Sequence, residues 1–266
     1  MSQETEHRAE TPTAHLIDLG SGEPVVLLHG WGSRGELWGQ VLTGLASTHR
    51  VVAPDLPGFG ETDPPPVAWS VDDYVGWLQQ LLDRVGVARA DFICHSFGAQ
   101  VAVRLATAHP ARVGRLVLTG AAVIRHRPGA AQRLRVRTFK TGRALSRHRM
   151  VPGALRQPLE AWVQSRGSDD YRAAAGTVRE SFVRVLNEDL SGELDQIRSS
   201  TLLIFGDADD ATPLADARRL EAGIRDAGLV VFEGAGHFAY AEQPERFLRI
   251  VQHFLGAPAA VQEEGA

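Results

Sequence analysis

Six short apolar runs punctuate the chain: Val25–Leu28, Val51–Ala53, Phe92–Cys94, Val113–Thr119, Leu202–Phe205 and Leu229–Phe232. Each is apolar or β-branched at consecutive positions and is bounded by Gly, Pro or Asp. Such runs suit strands of a parallel sheet that is covered on both faces. Between them lie stretches with helical periodicity, at Val71–Val85, Phe97–Ala108, Leu214–Asp226 and Pro244–Leu255. The alternation predicts an α/β architecture, a mostly parallel central sheet flanked by helices. The stretch "AHLIDL" adds a strand at the front.

The rhythm stops between Ala121 and about Ile197. That stretch is strand-poor, with helical periodicities near 130–149, 154–165 and 170–187. Trp162, Tyr171, Phe182, Val185 and Leu186 give its second half an apolar stripe. The expected organisation is an α/β core from 14–120 and 198–257, interrupted by a helical insertion at 121–197. The polar ends, 1–13 and 258–266, read as flexible segments. The first of them lacks the apolar stretch of a signal peptide.

Composition narrows the class. Of 266 residues, 44% are hydrophobic and 23% charged, as in an ordinary globular protein. No apolar run approaches the roughly 20 residues that span a bilayer. The single cysteine permits no intrachain disulfide, which suits a reducing cytoplasm. It also cannot build a Cys-based zinc site, and no H-E-x-x-H is present, so neither metal nor cofactor is expected. The net charge of −4 hides an asymmetry, because no Asp or Glu occurs between Asp91 and Glu160. That window is rich in arginine. It reads first as a solvated face and second as a surface that attracts an anionic partner or substrate. A nucleic-acid binder is a weaker reading of the same arginines; none is expected as a partner.

The candidate chemistry starts at "FICHSFGA", where a strand passes into a helix through Ser96. At such a turn a serine either caps the helix or projects its Oγ as a nucleophile at the helix N-terminus. A tight turn needs small residues two positions either side, and here they are Cys94 and Gly98. Cys94 reads as packing. A nucleophilic serine needs a base, and the base an orienting acid. The acid-free window rules out an acid directly after Val113–Thr119. The next strand ends in "GDADDATP", where Asp207, Asp209 and Asp210 compete. Only His237 and His253 follow. His253 sits in the amphipathic "RFLRIVQHFL" as a surface residue, whereas His237 follows a strand in "EGAGHFAYAEQP".

Taken in order, "HGWG", "PDLPGFG", "CHSFGA", "GDADDATP" and "GAGHFAYAEQP" resemble the α/β-hydrolase superfamily from about Ala14 to Leu255. Cys94 departs from the usual Gly-x-Ser-x-Gly. The acid loop resembles G-x-x-D-x-x-x-P at Gly206, Asp209 and Pro213, which selects Asp209 as the acid; His237 matches the family's histidine. The resemblance implies a Ser96–His237–Asp209 triad and an oxyanion hole from the backbone N–H groups of Trp31 and Phe97. Trp31, Phe97, Trp162, Phe182 and Phe238 become pocket-lining candidates. Asp55 reads as a turn residue, His29 as a backbone-bonded structural histidine, and His95 as a neighbour of the nucleophile. The insertion corresponds to the family's cap.

These features imply a cofactor-free serine hydrolase acting on a small-molecule carboxylic ester. "HGWGSRGELWGQV" is similar to esterases that act on acyl groups carried by acyl carrier protein, so an anionic or carrier-bound ester is included. Alternatives are a carbon–carbon bond hydrolase, lyase or perhydrolase on the same triad, and a ligand-sensing receptor on a hydrolase scaffold. Fold analogy alone does not fix the substrate.

Overall fold

In the computed structural model, residues 11–125 and 174–256 are described. Seven strands form one sheet among them: β1 (Leu16–Leu19), β2 (Pro24–Leu28), β3 (Arg50–Pro54), β4 (Ala90–His95), β5 (Val113–Thr119), β6 (Thr201–Gly206) and β7 (Ala227–Phe232). Their order is β1-β3-β2-β4-β5-β6-β7. β1 runs antiparallel to β3, and every other pairing is parallel. The chain leaves β2 toward β3 on one side and returns to β4 on the other. The carboxyl ends of strands beside such a reversal are where open α/β sheets place their sites.

The apolar runs are continuous because the sheet separates two cores. Val26, Leu28, Val52, Phe92, Leu116, Leu118, Leu203 and Phe205 face one core. Their sequence neighbours Val25, Leu27, Val51, Ala53, Ile93, Val117, Leu202 and Ile204 face the other. Successive side chains on a strand alternate faces, so burial on both sides needs apolar residues at every position. β7 differs from expectation. It is the edge strand and most of it is only half-buried, because an apolar run serves a one-sided edge as well as a centre.

The helices are α1 (Gln40–Ala46), α2 (Val71–Arg84), α3 (Phe97–Ala108), α4 (Gly176–Val185), α5 (Leu214–Gly223), α6 (Ala239–Glu242) and α7 (Pro244–Gly256). α2 starts where a capping box is complete: Asp73 N–H donates to Ser70 Oγ, and Ser70 N–H to the Asp73 carboxylate. α5 stops at Gly223, short of the expected Asp226. α1 is absent from the sequence expectation; its Gly44 sits where a Cβ would lie 2.3 Å from Leu248, so the missing side chain lets α1 approach α7.

Of the insertion, residues 121–125 and 174–197 are described. The helix expected near 170–187 is observed as α4. It docks on the loop between β3 and α2: Thr177 Oγ1 donates to Pro65 O (2.6 Å), and Trp69 N–H to Ser181 Oγ (2.8 Å). Trp162 and the helices expected near 130–149 and 154–165 lie outside the described residues, as do 1–10 and 257–266.

Candidate active site

Ser96 joins β4 to α3 at φ 51° and ψ −110°, and it is the one non-glycine residue with positive φ among those described. That conformation is sparsely populated for a side-chain-bearing residue and costs on the order of 1–3 kcal/mol. The surroundings over-determine it. Ser96 N–H donates to Thr119 O (3.1 Å), and Ser96 O accepts from Ala99 (3.1 Å) and Ala122 (3.3 Å). The Ser96 side chain makes no capping hydrogen bond to α3, so its hydroxyl is not helix punctuation.

The turn is tight enough to dictate its neighbours. A Cβ on Gly98 would lie 2.4 Å from Leu28 O and 2.7 Å from His29 O. Cys94 stands where the usual motif has glycine. It is fully buried, and burial pushes its thiol far above the ordinary cysteine range. It is therefore a protonated packing group rather than a second nucleophile.

The loop after β6 carries the three competing carboxylates, and the structure separates them. Asp209 is buried, whereas Asp207 and Asp210 are exposed. His237 Nδ1–H donates to Asp209 Oδ2 (2.8 Å), Thr212 Oγ1 donates to the same oxygen (2.6 Å), and the N–H groups of Ala211 (2.8 Å) and Thr212 (2.9 Å) donate to Oδ1. Burial opposes the charge on Asp209. The bonds from His237 and Thr212 outweigh it and lower the pKa to about 2. Asp207 instead accepts from Gly234 N–H (2.7 Å) and braces the turn after β7. His253 is exposed, as expected.

His237 follows β7 and reaches back over the ends of β5 and β4. A Cβ on Gly120, just past β5, would lie 3.1 Å from its ring. Its ring centroid is 4.6 Å from that of His95, the residue before Ser96. The fold thus brings Ser96, Asp209 and His237, which follow β4, β6 and β7, to the carboxyl end of the parallel strands.

Two backbone N–H groups lie on the loops next to Ser96. Phe97 opens α3, so its N–H has no intrahelical acceptor. Trp31 follows His29-Gly30 at the end of β2. Among the described residues neither N–H has a hydrogen-bond partner. A Cβ on Gly30 would lie 3.2 Å from Ser96 Cβ, which puts this loop directly against the nucleophile candidate. The loop is held by His29: Leu56 N–H donates to His29 Nε2 (2.9 Å), which leaves Nδ1–H to donate to Gly30 O (2.7 Å). Burial lowers the pKa of His29 to about 4, so the ring is neutral and keeps that tautomer.

Three of the expected pocket residues form one aromatic cluster. The Trp31 ring centroid lies 5.1 Å from Phe97, 4.9 Å from Phe182 and 4.7 Å from Phe59. Phe182 comes from α4, so the insertion contributes to the cluster. Phe238 is apart from this cluster: it stacks near His95 (4.9 Å) and His237 (5.4 Å), with 47% of its surface exposed.

Sequence reasoning undervalued two residues. Asp55, read as a turn residue, is buried and accepts from Gly35 N–H (2.7 Å), Glu61 N–H (3.0 Å) and His15 Nδ1–H (2.8 Å). It ties three separate loops together, and a Cβ on Gly60 would lie 2.0 Å from its carboxylate. His95, read as a neighbour of the nucleophile, is buried and donates from Nε2 to His237 O (3.0 Å).

The profile of the alpha/beta hydrolase family matches residues 25–250. The chain belongs to the alpha/beta hydrolase family. It is 29% identical to a pimeloyl-[acyl-carrier protein] methyl ester esterase from Aeromonas hydrophila, over 90% of this chain and 97% of that one. It is 31% identical to a 2-hydroxy-6-oxo-2,4-heptadienoate hydrolase from Pseudomonas putida, over 91% of this chain and 92% of that one. Among solved structures, a meta-cleavage product hydrolase from Pseudomonas fluorescens superposes with a TM-score of 0.68 at 28% identity, covering 91% of this chain and 93% of the other. Its relatives are hydrolases, and this chain is a hydrolase of the same superfamily. No helix among the described residues is long and apolar enough to cross a membrane.

Proposed function

We propose that this hydrolase cleaves a carboxylic ester through an acyl-enzyme on Ser96. One observation carries the reading: a strained serine whose hydroxyl does not cap its helix directly follows His95, whose ring lies 4.6 Å from that of a histidine bonded to a buried, ionised aspartate. In this reading Ser96 Oγ attacks the acyl carbon. His237 takes the serine proton at Nε2 and returns it to the leaving alcohol. Asp209 holds Nδ1–H and stabilises the imidazolium that forms. The N–H groups of Trp31 and Phe97 receive the oxyanion; losing one such donor typically costs ~3 kcal/mol of transition-state stabilisation. Water then attacks the acyl-enzyme with His237 as base. No step calls on a cofactor.

In this reading the insertion at 121–197 corresponds to the family's cap, and Trp31, Phe97, Phe182 and Phe238 line the substrate pocket. The Aeromonas relative supports a small or carrier-bound acyl ester as substrate. The similarity to the Pseudomonas putida enzyme supports a second reading, carbon–carbon bond hydrolysis on the same three residues. A single buried cysteine suits a reducing compartment, and we place the enzyme in the cytoplasm.

The test is turnover of p-nitrophenyl esters of graded chain length, with Ser96→Ala as the blank and a fluorophosphonate probe to mark the nucleophile. Wild type should turn over repeatedly and carry the label on Ser96. Ser96→Ala should lose several orders of magnitude in rate while keeping its fold. Label on Cys94, or activity surviving in Ser96→Ala, would remove Ser96 from its role. A single turnover without recovery would favour a sensor over an enzyme.

A further inference from the structure

The His95 imidazole sits where three loops meet. Its own residue immediately precedes Ser96 at the end of β4. Its Nε2 lies 3.0 Å from the carbonyl oxygen of His237. Its Nδ1 lies 2.7 Å from where a Cβ on Gly30 would be, one residue from Trp31. The ring also meets that of His237 at 4.6 Å, tilted by 57°, and the Tyr240 ring edge-on at 5.2 Å. β4 and β7 are separated in the sheet by β5 and β6, so no backbone ladder connects the nucleophile candidate to the histidine loop.

A carbonyl can only accept, so Nε2 carries the proton and Nδ1 has a lone pair. Among the described residues that lone pair is buried without a hydrogen-bond partner. Burial, and then the nearby His237, lower the pKa of His95 to about 3. The ring stays neutral at working pH and does not compete with His237 for the serine proton.

We infer that His95 is a positioning residue, which fixes the His237 loop and the Gly30-Trp31 loop against Ser96 through one hydrogen bond and one close ring contact. The inference rests on the triad reading above. A base displaced by a fraction of an ångström loses rate steeply, whereas ground-state binding in the aromatic pocket does not depend on this bond. The expected signature is therefore a fall in kcat with KM nearly constant.

Three variants test it on the full-length enzyme. His95→Gln keeps a donor near the Nε2 position. His95→Asn places its amide near Nδ1, too short to reach His237 O. His95→Phe keeps a ring and removes the donor. Each is measured for kcat and KM on a p-nitrophenyl ester and for the rate of fluorophosphonate labelling. His95→Phe and His95→Asn should lose roughly 10–100-fold in kcat and in labelling rate, while His95→Gln should recover most of it. If His95→Phe fails to fold, the Gln-against-Asn comparison decides. Equal activity in those two variants, a Phe variant with wild-type kcat, or a loss confined to KM would each overturn the inference. A wild type inert to the fluorophosphonate would instead sink the triad reading, and the positioning role with it.

Discussion

Three carboxylates within four residues illustrate what decides a role at the residue scale. Asp207, Asp209 and Asp210 are chemically alike, and composition cannot rank them. Burial and partners do: Asp209 accepts four hydrogen bonds, one of them from His237, while the other two point into solvent or brace a turn. Asp209→Asn should cut the esterase rate by roughly 10³–10⁴-fold, because the His237 tautomer and the imidazolium lose their partner. Asp207→Asn and Asp210→Asn should change it little; steady-state rates of the three variants check this. The depressed pKa makes a second prediction. Asp209 is held at about 2 against an ordinary 3.8, so its stabilising effect is fully present above about pH 4. As the pH falls from about 4 to about 2, the unfolded chain takes up the proton first and that stability drains away. The gap in urea midpoint between wild type and Asp209→Asn should therefore shrink across that window. A constant gap would mean that the carboxylate charge does not stabilise the fold. The local motifs marked Ser96, Asp209 and His237, because each sits in a short stretch with its own turn residues. Asp55 and His95 were not legible in the same way. Gly35 and His15 for one and His237 for the other lie 20, 40 and 142 residues away and meet them only once the chain has folded.

Elements of this chain were readable to the degree that they were long or buried on both sides. β5 and α3 have the expected bounds, and the other central strands differ by a residue or two at their ends. The seven residues of α1 give too short a window for a 3.6-residue period, and the helix is stabilised by α7 rather than by its own pattern. The half-buried edge position of β7 is not legible in its apolar run, because such a run does not report how many neighbours a strand has. Glycines carry element-scale information that periodicity does not. Gly98 lies on α3 with Leu28 O and His29 O in the space a Cβ would need, and backbone cannot step aside. Gly98→Ala should destabilise the protein by about 1–3 kcal/mol, the usual range for overpacking, and should lower activity through the displaced turn. Gly76, in the middle of α2, has open space around its Cα. Gly76→Ala should raise stability by about 0.5–1 kcal/mol, since alanine loses less backbone entropy on entering a helix. Urea unfolding of both variants tests the pair, and the contrast in sign is the informative result.

Across the whole molecule, the acid-free window from 92 to 159 is a property of sequence that folding partly cancels. Arg104 pairs with Glu193 (2.7 Å) and Asp72 (3.1 Å), Arg112 with Asp83 (2.7 Å), and Arg115 with Asp91 (3.4 Å). Arg125 donates to Asn187 (2.8 Å), and its N–H to Asp189 (3.4 Å). Arg104, Arg112 and Arg115 are therefore offset by carboxylates from elsewhere in the chain, whereas exposed Arg125, among the described residues, meets only a neutral amide through its side chain and keeps its charge. The rest of the window's field must come from Arg127 to Arg156, and these residues lie outside the described structure. Two readings make different predictions for them. A solvated face leaves catalysis indifferent to their charge. A recruiting surface raises the local concentration of an anionic or carrier-bound ester, acting mainly on encounter and screened by salt with a Debye length of ~8 Å at physiological ionic strength. If the arginines recruit substrate, replacing Arg133, Arg135, Arg137 and Arg143 together by Gln should raise KM several-fold for an anionic ester and leave KM for a neutral one unchanged. The kcat values should hold, because Ser96, His237 and Asp209 are untouched. Added salt should reproduce the substitution in wild type and do nothing further in the variant. Equal KM values for anionic and neutral esters of matched length at low salt would assign the arginines to solvent, and substrate choice would then rest on the aromatic wall of Trp31, Phe97 and Phe182.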